Sequence, residues 1–141
     1  MTIPQPPPPS KSLTAICHCT SIMLTFPYPS KPFTECHCSI CRRYGALWAQ
    51  FPSDSVTITC TNVTDTNTSI TNKIDTGTDF YVWGDKDLQF HRCRKCGCVM
   101  YWMPREGLRE EHKLVSFNMR MVEEKILEGM KPVVKGGLKK A

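Results

Sequence analysis

Three thiols stand close together in Cys36-His37-Cys38-Ser39-Ile40-Cys41, and two further clusters flank them: Cys17-His18-Cys19 and Cys93-Arg94-Lys95-Cys96-Gly97-Cys98. In extended backbone, residues two apart share a face, so Cys36 and Cys38 can approach one ion together. A turn over Ser39-Ile40 then brings Cys41 to the same point. Thiolates are soft donors, and a tetrahedral sulfur set selects zinc or an iron–sulfur centre. The usual iron–sulfur spacings differ from these, so zinc is the expected cofactor, two Zn2+ per chain. Cys17, Cys19, Cys93 and Cys96 can make a complete four-thiolate site of the structural kind. Cys36, Cys38 and Cys41 fill three corners of a tetrahedron and leave the fourth open, which is what a catalytic zinc needs. The closed alternative stands beside it: Cys98, His37 or His91 as a fourth ligand would make both sites structural. His18 and His37 each sit between two cysteines, and in an extended strand they point away from the metal.

The cysteine count supports metal over disulfides. Nine is odd, eight of the nine fall in the three tight groups, and Cys-x-Cys neighbours are poorly placed to bridge each other. Residues 1–9 lack the basic and apolar regions of a signal peptide, so the expected location is the cytoplasm or nucleus, not the secretory route. Thiols stay reduced there. No apolar run is long enough to span a membrane. At 141 residues the chain fits one domain with one modest core. The formal net charge is +5, but Lys131, Lys135, Lys139 and Lys140 supply four of those charges, leaving +1 for residues 1–130. Seven thiolates around two Zn2+ would add about −3. The body is therefore near neutral, which argues against nucleic acid as a partner.

The elements that must position the thiols are short and mostly extended. Residues 1–12 are rich in proline and read as a disordered N-terminus. A zinc-binding β domain follows over 13–130, and 131–141 reads as a basic tail. Ile22, Leu24 and Phe26 alternate with polar or flexible neighbours as a half-buried strand does. Three prolines in 27–32 demand a loop. Residues 39–44 suit a single helical turn closed by Gly45. Strands are predicted at 47–51, 56–59, 80–83, 88–91, 99–103 and 114–118, with 80–83 and 88–91 as a hairpin, and a short helix at 122–127. Cys60, alone after its strand, reads as a buried apolar residue. Residues 61–78 form a threonine- and asparagine-rich surface excursion; its two glycosylation sequons, at Asn62 and Asn67, are discounted because nothing directs the chain to secretion. Trp48, Trp83 and Trp102 read as core aromatics rather than a substrate wall. The fold class is mainly β with little helix.

The ordered clusters Cys17-His-Cys19, Cys36-His-Cys38-Ser-Ile-Cys41-Arg-Arg-Tyr-Gly-Ala46 and Phe90-His-Arg-Cys93-Arg-Lys-Cys96-Gly97 resemble the glutathione-dependent formaldehyde-activating enzyme family, which includes the centromere protein V group. The likeness runs from about Ala15 to Met121 and includes Tyr81-Val-Trp-Gly-Asp85 and Asn118-Met-Arg120; the Phe-His and Cys-Gly-Cys details are similar to its fungal branch. The resemblance implies small coiled antiparallel sheets meeting like panels of a tent. It implies Cys17, Cys19, Cys93 and Cys96 as structural zinc ligands and Cys36, Cys38 and Cys41 as catalytic zinc ligands. The implied activity is a carbon–sulfur lyase joining glutathione to formaldehyde as S-hydroxymethylglutathione. The alternative function is a non-catalytic binding module stabilised by two structural zincs. Thr20, where many members have glycine, and the extra thiol Cys98 depart from the pattern. Arg42, Arg43 and Arg120 could hold glutathione carboxylates, but read better as surface or salt-bridge residues.

Overall fold

The computed structural model describes residues 12–61, 77–82, 84, 87–128 and 131–135. The proline-rich start, residues 62–76 with both sequons, Trp83, and the end of the basic tail lie outside the described residues.

The order of elements is β1 (Ser12–Ile16), β2 (Ile22–Pro27), β3 (Thr34–Cys36), α1 (Ser39–Tyr44), β4 (Trp48–Pro52), β5 (Thr57–Cys60), β6 (Thr78–Val82), β7 (Leu88–Cys93), β8 (Val99–Pro104), β9 (Leu114–Asn118), α2 (Glu124–Leu127) and β10 (Val133–Lys135). A three-stranded sheet runs β1-β2-β5, and a seven-stranded sheet runs β10-β3-β4-β9-β8-β7-β6. Among the described residues the protein is mainly β with two short α-helices, and every strand pair is antiparallel except β10 with β3.

Alternation along the strands gives the large sheet two different faces. Ala49, Phe51, Val115, Phe117, Met100 and Tyr101 point to one face and form the main core with Ala15, Ile22, Leu24, Phe26 and Ile58 of the small sheet. Phe26, Phe51 and Phe117 meet with ring centroids 5.1–5.7 Å apart. Each contributes about 1.5–3 kcal/mol by leaving water, and truncating Phe117 to alanine would remove the shared contact at a cost of about 3–5 kcal/mol. Trp48, Phe90, Val99 and Trp102 point to the opposite face, where they pack against Cys41, Ile40 and Tyr44 of α1. A bulge in β8 lets Met100 and Tyr101 share the first face: His91 pairs with Tyr101 but Arg92 with Val99, which leaves Met100 as the extra residue. Along β7, which stays regular against β6, alternation puts His91 on the first face and Phe90 and Arg92 on the second.

The hairpin between β6 and β7 has the expected partners, Phe80 opposite His91 and Tyr81 opposite Phe90. Cys60 is buried, as its position predicts, and it touches the place where the chain re-emerges after residue 76: a Cβ on Gly77 would lie 2.5 Å from its sulfur. Part of the basic tail is built into the sheet. Val133 N–H donates to Phe33 O and His37 N–H to Lys135 O, so β10 lies beside the strand that carries Cys36. The sequence shows a run of charge there and hides a three-residue strand.

Candidate metal centres

The Cys17–Thr20 turn joins β1 to β2, and the Cys93–Cys98 turn joins β7 to β8. Packing of the two sheets brings these turns together, and the sulfurs of Cys17, Cys19, Cys93 and Cys96 all lie within 4.8 Å of one another. Cys19 Sγ is 3.6 Å from Cys17 Sγ and 3.6 Å from Cys93 Sγ. A tetrahedron with metal–sulfur bonds of about 2.3 Å has sulfur–sulfur edges of about 3.8 Å, so this set fits one ion. Backbone N–H groups point at the sulfurs: Ile22 N–H donates to Cys17 Sγ at 3.3 Å, and Lys95 and Cys96 N–H donate to Cys93 Sγ at 3.4 and 3.5 Å. The tight Cys93 turn closes through Gly97, at φ +81°, a conformation glycine adopts at no steric cost. Thr20 also sits in the left-handed region, at φ 68°, and is the one described residue other than glycine to do so. This explains why glycine suits that position.

Ser21 was not singled out by the sequence. Its side chain is buried beside this group, with Oγ 3.1 Å from Cys19 Sγ and 3.4 Å from Cys93 Sγ. The four thiols are not equivalent. Burial pushes Cys17 up to about 11, whereas burial at Cys96 is outweighed by backbone N–H donors from Cys98 and Cys19, which pull it down to about 6. Hydrogen bonding from Ser21 lowers Cys19. A cation at the centre removes the mutual repulsion that otherwise keeps such a set partly protonated.

The second group forms where β3 runs into α1. Cys36 ends the strand, Cys38 precedes the helix, and Cys41 lies in its first turn; their sulfurs also fall within 4.8 Å of one another. Gly45 at φ 68° ends α1 as its sequence predicts. Burial pushes the Cys41 thiol far up, partly opposed by a hydrogen bond from Trp48, whose Nε1–H donates to Cys41 Sγ at 3.4 Å. At Cys38 the effect of burial is overcome by N–H groups of Cys41 and Ile40 and by the neighbouring thiols, and its pKa falls.

Among the described residues, no fourth cysteine, histidine or carboxylate joins this triplet. The three candidates are placed elsewhere. His37 Nε2 is 2.7 Å from Glu35 Oε2. Cys98 lies by the four-thiol group, where Cys96 and Cys93 act on it. His91 is on the other face of the sheet, stacked on Tyr101 with centroids 4.6 Å apart. Its partners fix its tautomer. Gln89 Oε1 accepts from Arg109 at 2.8 Å and from His91 Nε2–H at 3.2 Å, so Nδ1 accepts from Thr78 Oγ1–H at 2.8 Å. Burial, with Arg109 nearby, pulls His91 down to about 3 and keeps it neutral.

The triplet opens onto a cleft of about 1170 Å3. Trp48, Phe90 and Trp102 form its wall, with Trp48 and Trp102 edge-to-face at 6.4 Å. Trp48 and Trp102 thus pack against the sheet and also face the cleft, which the reading of them as core alone missed. Lys31 and Lys135 are the charged residues of the lining, with no acid among its described residues. Arg42, Arg43 and Arg120 are all exposed, as expected of surface residues, and among the described residues none of them forms a salt bridge. Arg43 Nη1 instead donates to Ser39 O at 2.7 Å and Arg120 Nε to Gly45 O at 2.9 Å, bracing both ends of α1.

No family sequence model matches the chain, and no curated protein does. Its fold is similar to a solved structure of a Rhodobacter sphaeroides protein, a structural-genomics target, with a TM-score of 0.62 over 87% of this chain and 100% of that one, at 17% identity. At that identity the likeness is one of fold. No described helix is long and apolar enough to cross a membrane.

Proposed function

We propose that the protein is a zinc-dependent carbon–sulfur lyase of the glutathione-dependent formaldehyde-activating type, acting on a thiol adduct such as S-hydroxymethylglutathione. One observation carries this reading: three sulfurs, with no fourth donor among the described residues, stand in the lining of a large cleft. Cys36, Cys38 and Cys41 would hold the catalytic zinc, and Cys17, Cys19, Cys93 and Cys96 the structural one. With a position free for substrate, zinc supplies Lewis acidity, which favours the thiolate form of an incoming thiol or polarises a carbonyl.

The chain's own residues do the rest. Trp48 fixes Cys41 and keeps its negative charge hydrogen-bonded. Phe90 and Trp102 give the sulfurs an apolar wall on one side. Lys31 and Lys135 attract a carboxylate-bearing thiol to the mouth. In the cleavage direction the carbon–sulfur bond breaks, its electron pair stays on sulfur, and the adduct hydroxyl becomes the carbonyl of formaldehyde as its proton leaves.

The test is a titration of glutathione into cobalt-substituted protein. A saturable change in the cobalt absorption bands is expected. An unchanged spectrum at millimolar glutathione would overturn the enzymatic reading and leave a binding module held by two structural ions.

A further inference from the structure

On the same face of the large sheet, α1 has a cleft on each side. The triplet opens to one. The other, about 690 Å3, lies between α1, the ends of β7 and β8, and the turn after β9. The two share a wall, since Tyr44 lines the second, Phe90 the first, and their rings are 5.7 Å apart.

Three arginines from three elements reach this second cleft: Arg43 of α1, Arg92 of β7 and Arg120 of the turn after Asn118. No acid lines it. Among the described residues none of the three pairs with a carboxylate. Asp79 stands opposite Arg92 in the strand register, but its carboxylate is engaged by Arg94 at 3.2 Å. Arg43 and Arg120 each use one N–H on a helix-end carbonyl, which holds the guanidinium in place and leaves its other donors available. Tyr44 and Tyr81 are the aromatic part of the lining, and Tyr81 is 49% exposed. Three like charges gathered in a concavity repel one another, so an anion that enters relieves that repulsion as well as forming bonds.

We propose that this cleft is a binding site for a small phosphate monoester carrying a flat ring. Near pH 7 such a phosphate has a charge close to −2 and three acceptor oxygens, one for each guanidinium, and arginine forks match that geometry. The ring lies against Tyr44 and Tyr81. The site is separate from the triplet cleft and does not depend on the lyase reading.

The test uses the metal-loaded full chain, 15N-labelled, titrated with phenyl phosphate, adenosine monophosphate and inorganic phosphate. The Nε–Hε signals of Arg43, Arg92 and Arg120 should move saturably in the submillimolar range, while the Trp48 indole N–H, which reports the other cleft, stays still. Inorganic phosphate should bind about tenfold more weakly for want of the ring. Arg92→Gln should weaken phenyl phosphate about tenfold, and Arg42→Gln, an exposed charge outside the cleft, should leave it unchanged. Arg43→Gln repeats the measurement from another element if the first variant does not fold. No saturation at millimolar ligand, movement at Trp48 instead of the arginines, equal binding of inorganic phosphate, or equal weakening by Arg42→Gln would each overturn the proposal.

Discussion

The indole Nε1 of Trp48, on β4, donates to Cys41 Sγ, on α1, at 3.4 Å. This bond links the sheet to the thiol triplet and holds the most buried of its three sulfurs. Trp48→Phe keeps the ring and removes the donor. Metal affinity at the triplet should fall about 10–100-fold, with the four-thiol group unaffected. Competition with a chromophoric chelator reads both sites, and an unchanged weaker site would show the bond to be incidental.

The two groups should differ in what they hold up. Cys41→Ser should lose one metal ion of two while the β-sheet circular dichroism survives, because the triplet lies beside one helix. Cys93→Ser should give an unfolded or aggregated chain, since Cys93 ties the small sheet to the large one across 74 residues. Structural zinc contributes about 10–16 kcal/mol in small systems, as much as the whole stability of such a domain. Elemental analysis with the spectra decides, and identical behaviour of the two variants would refute the division.

Thr20 carries backbone strain at φ 68°. Left-handed geometry costs a residue with a Cβ about 1–2 kcal/mol, and glycine gives back part of that gain through its freer unfolded chain. Thr20→Gly should therefore raise stability by about 1 kcal/mol and raise the melting temperature. A lower melting temperature would mean that the threonine side chain supports the turn.

His91 sets a pH window. Its folded pKa is depressed to about 3 from 6.5, so below 6.5 the unfolded chain takes up a proton that the folded one refuses. Its stabilising contribution is present above pH 6.5 and is lost as the pH falls towards 3, by at most about 1.4 kcal/mol per pH unit. Denaturant unfolding of wild type and His91→Gln should show wild type ahead at pH 7 and the gap narrowing by pH 5. Metal loss in acid affects both chains, so the difference isolates the histidine. A constant gap would contradict the neutral, buried ring.

Much of this was legible in the residues. The three cysteine clusters, the α1 stop at Gly45 and the β6–β7 hairpin each follow from local spacing and turn chemistry. What was hidden depends on partners distant in the chain. Trp48 reads as a core aromatic until its edge meets Cys41, and Ser21 reads as a turn residue until β7 brings Cys93 beside it. Arg92 looks like any strand arginine, because alternation gives it a face but not the arginines of α1 and of the turn after β9 that share its cleft. The order β3-β4-β9-β8 could not be derived from alternation, which says which residues face inward but not which strands are neighbours.

The strand Val133–Lys135 closes the flank of Cys36 yet is synthesised after every other described element. A polypeptide still emerging from the ribosome thus displays Cys36, Cys38 and Cys41 long before their neighbouring strand exists. A chain cut before Val133 would keep all three sulfurs of the triplet but leave the strand that ends at Cys36 with an unpaired outer edge.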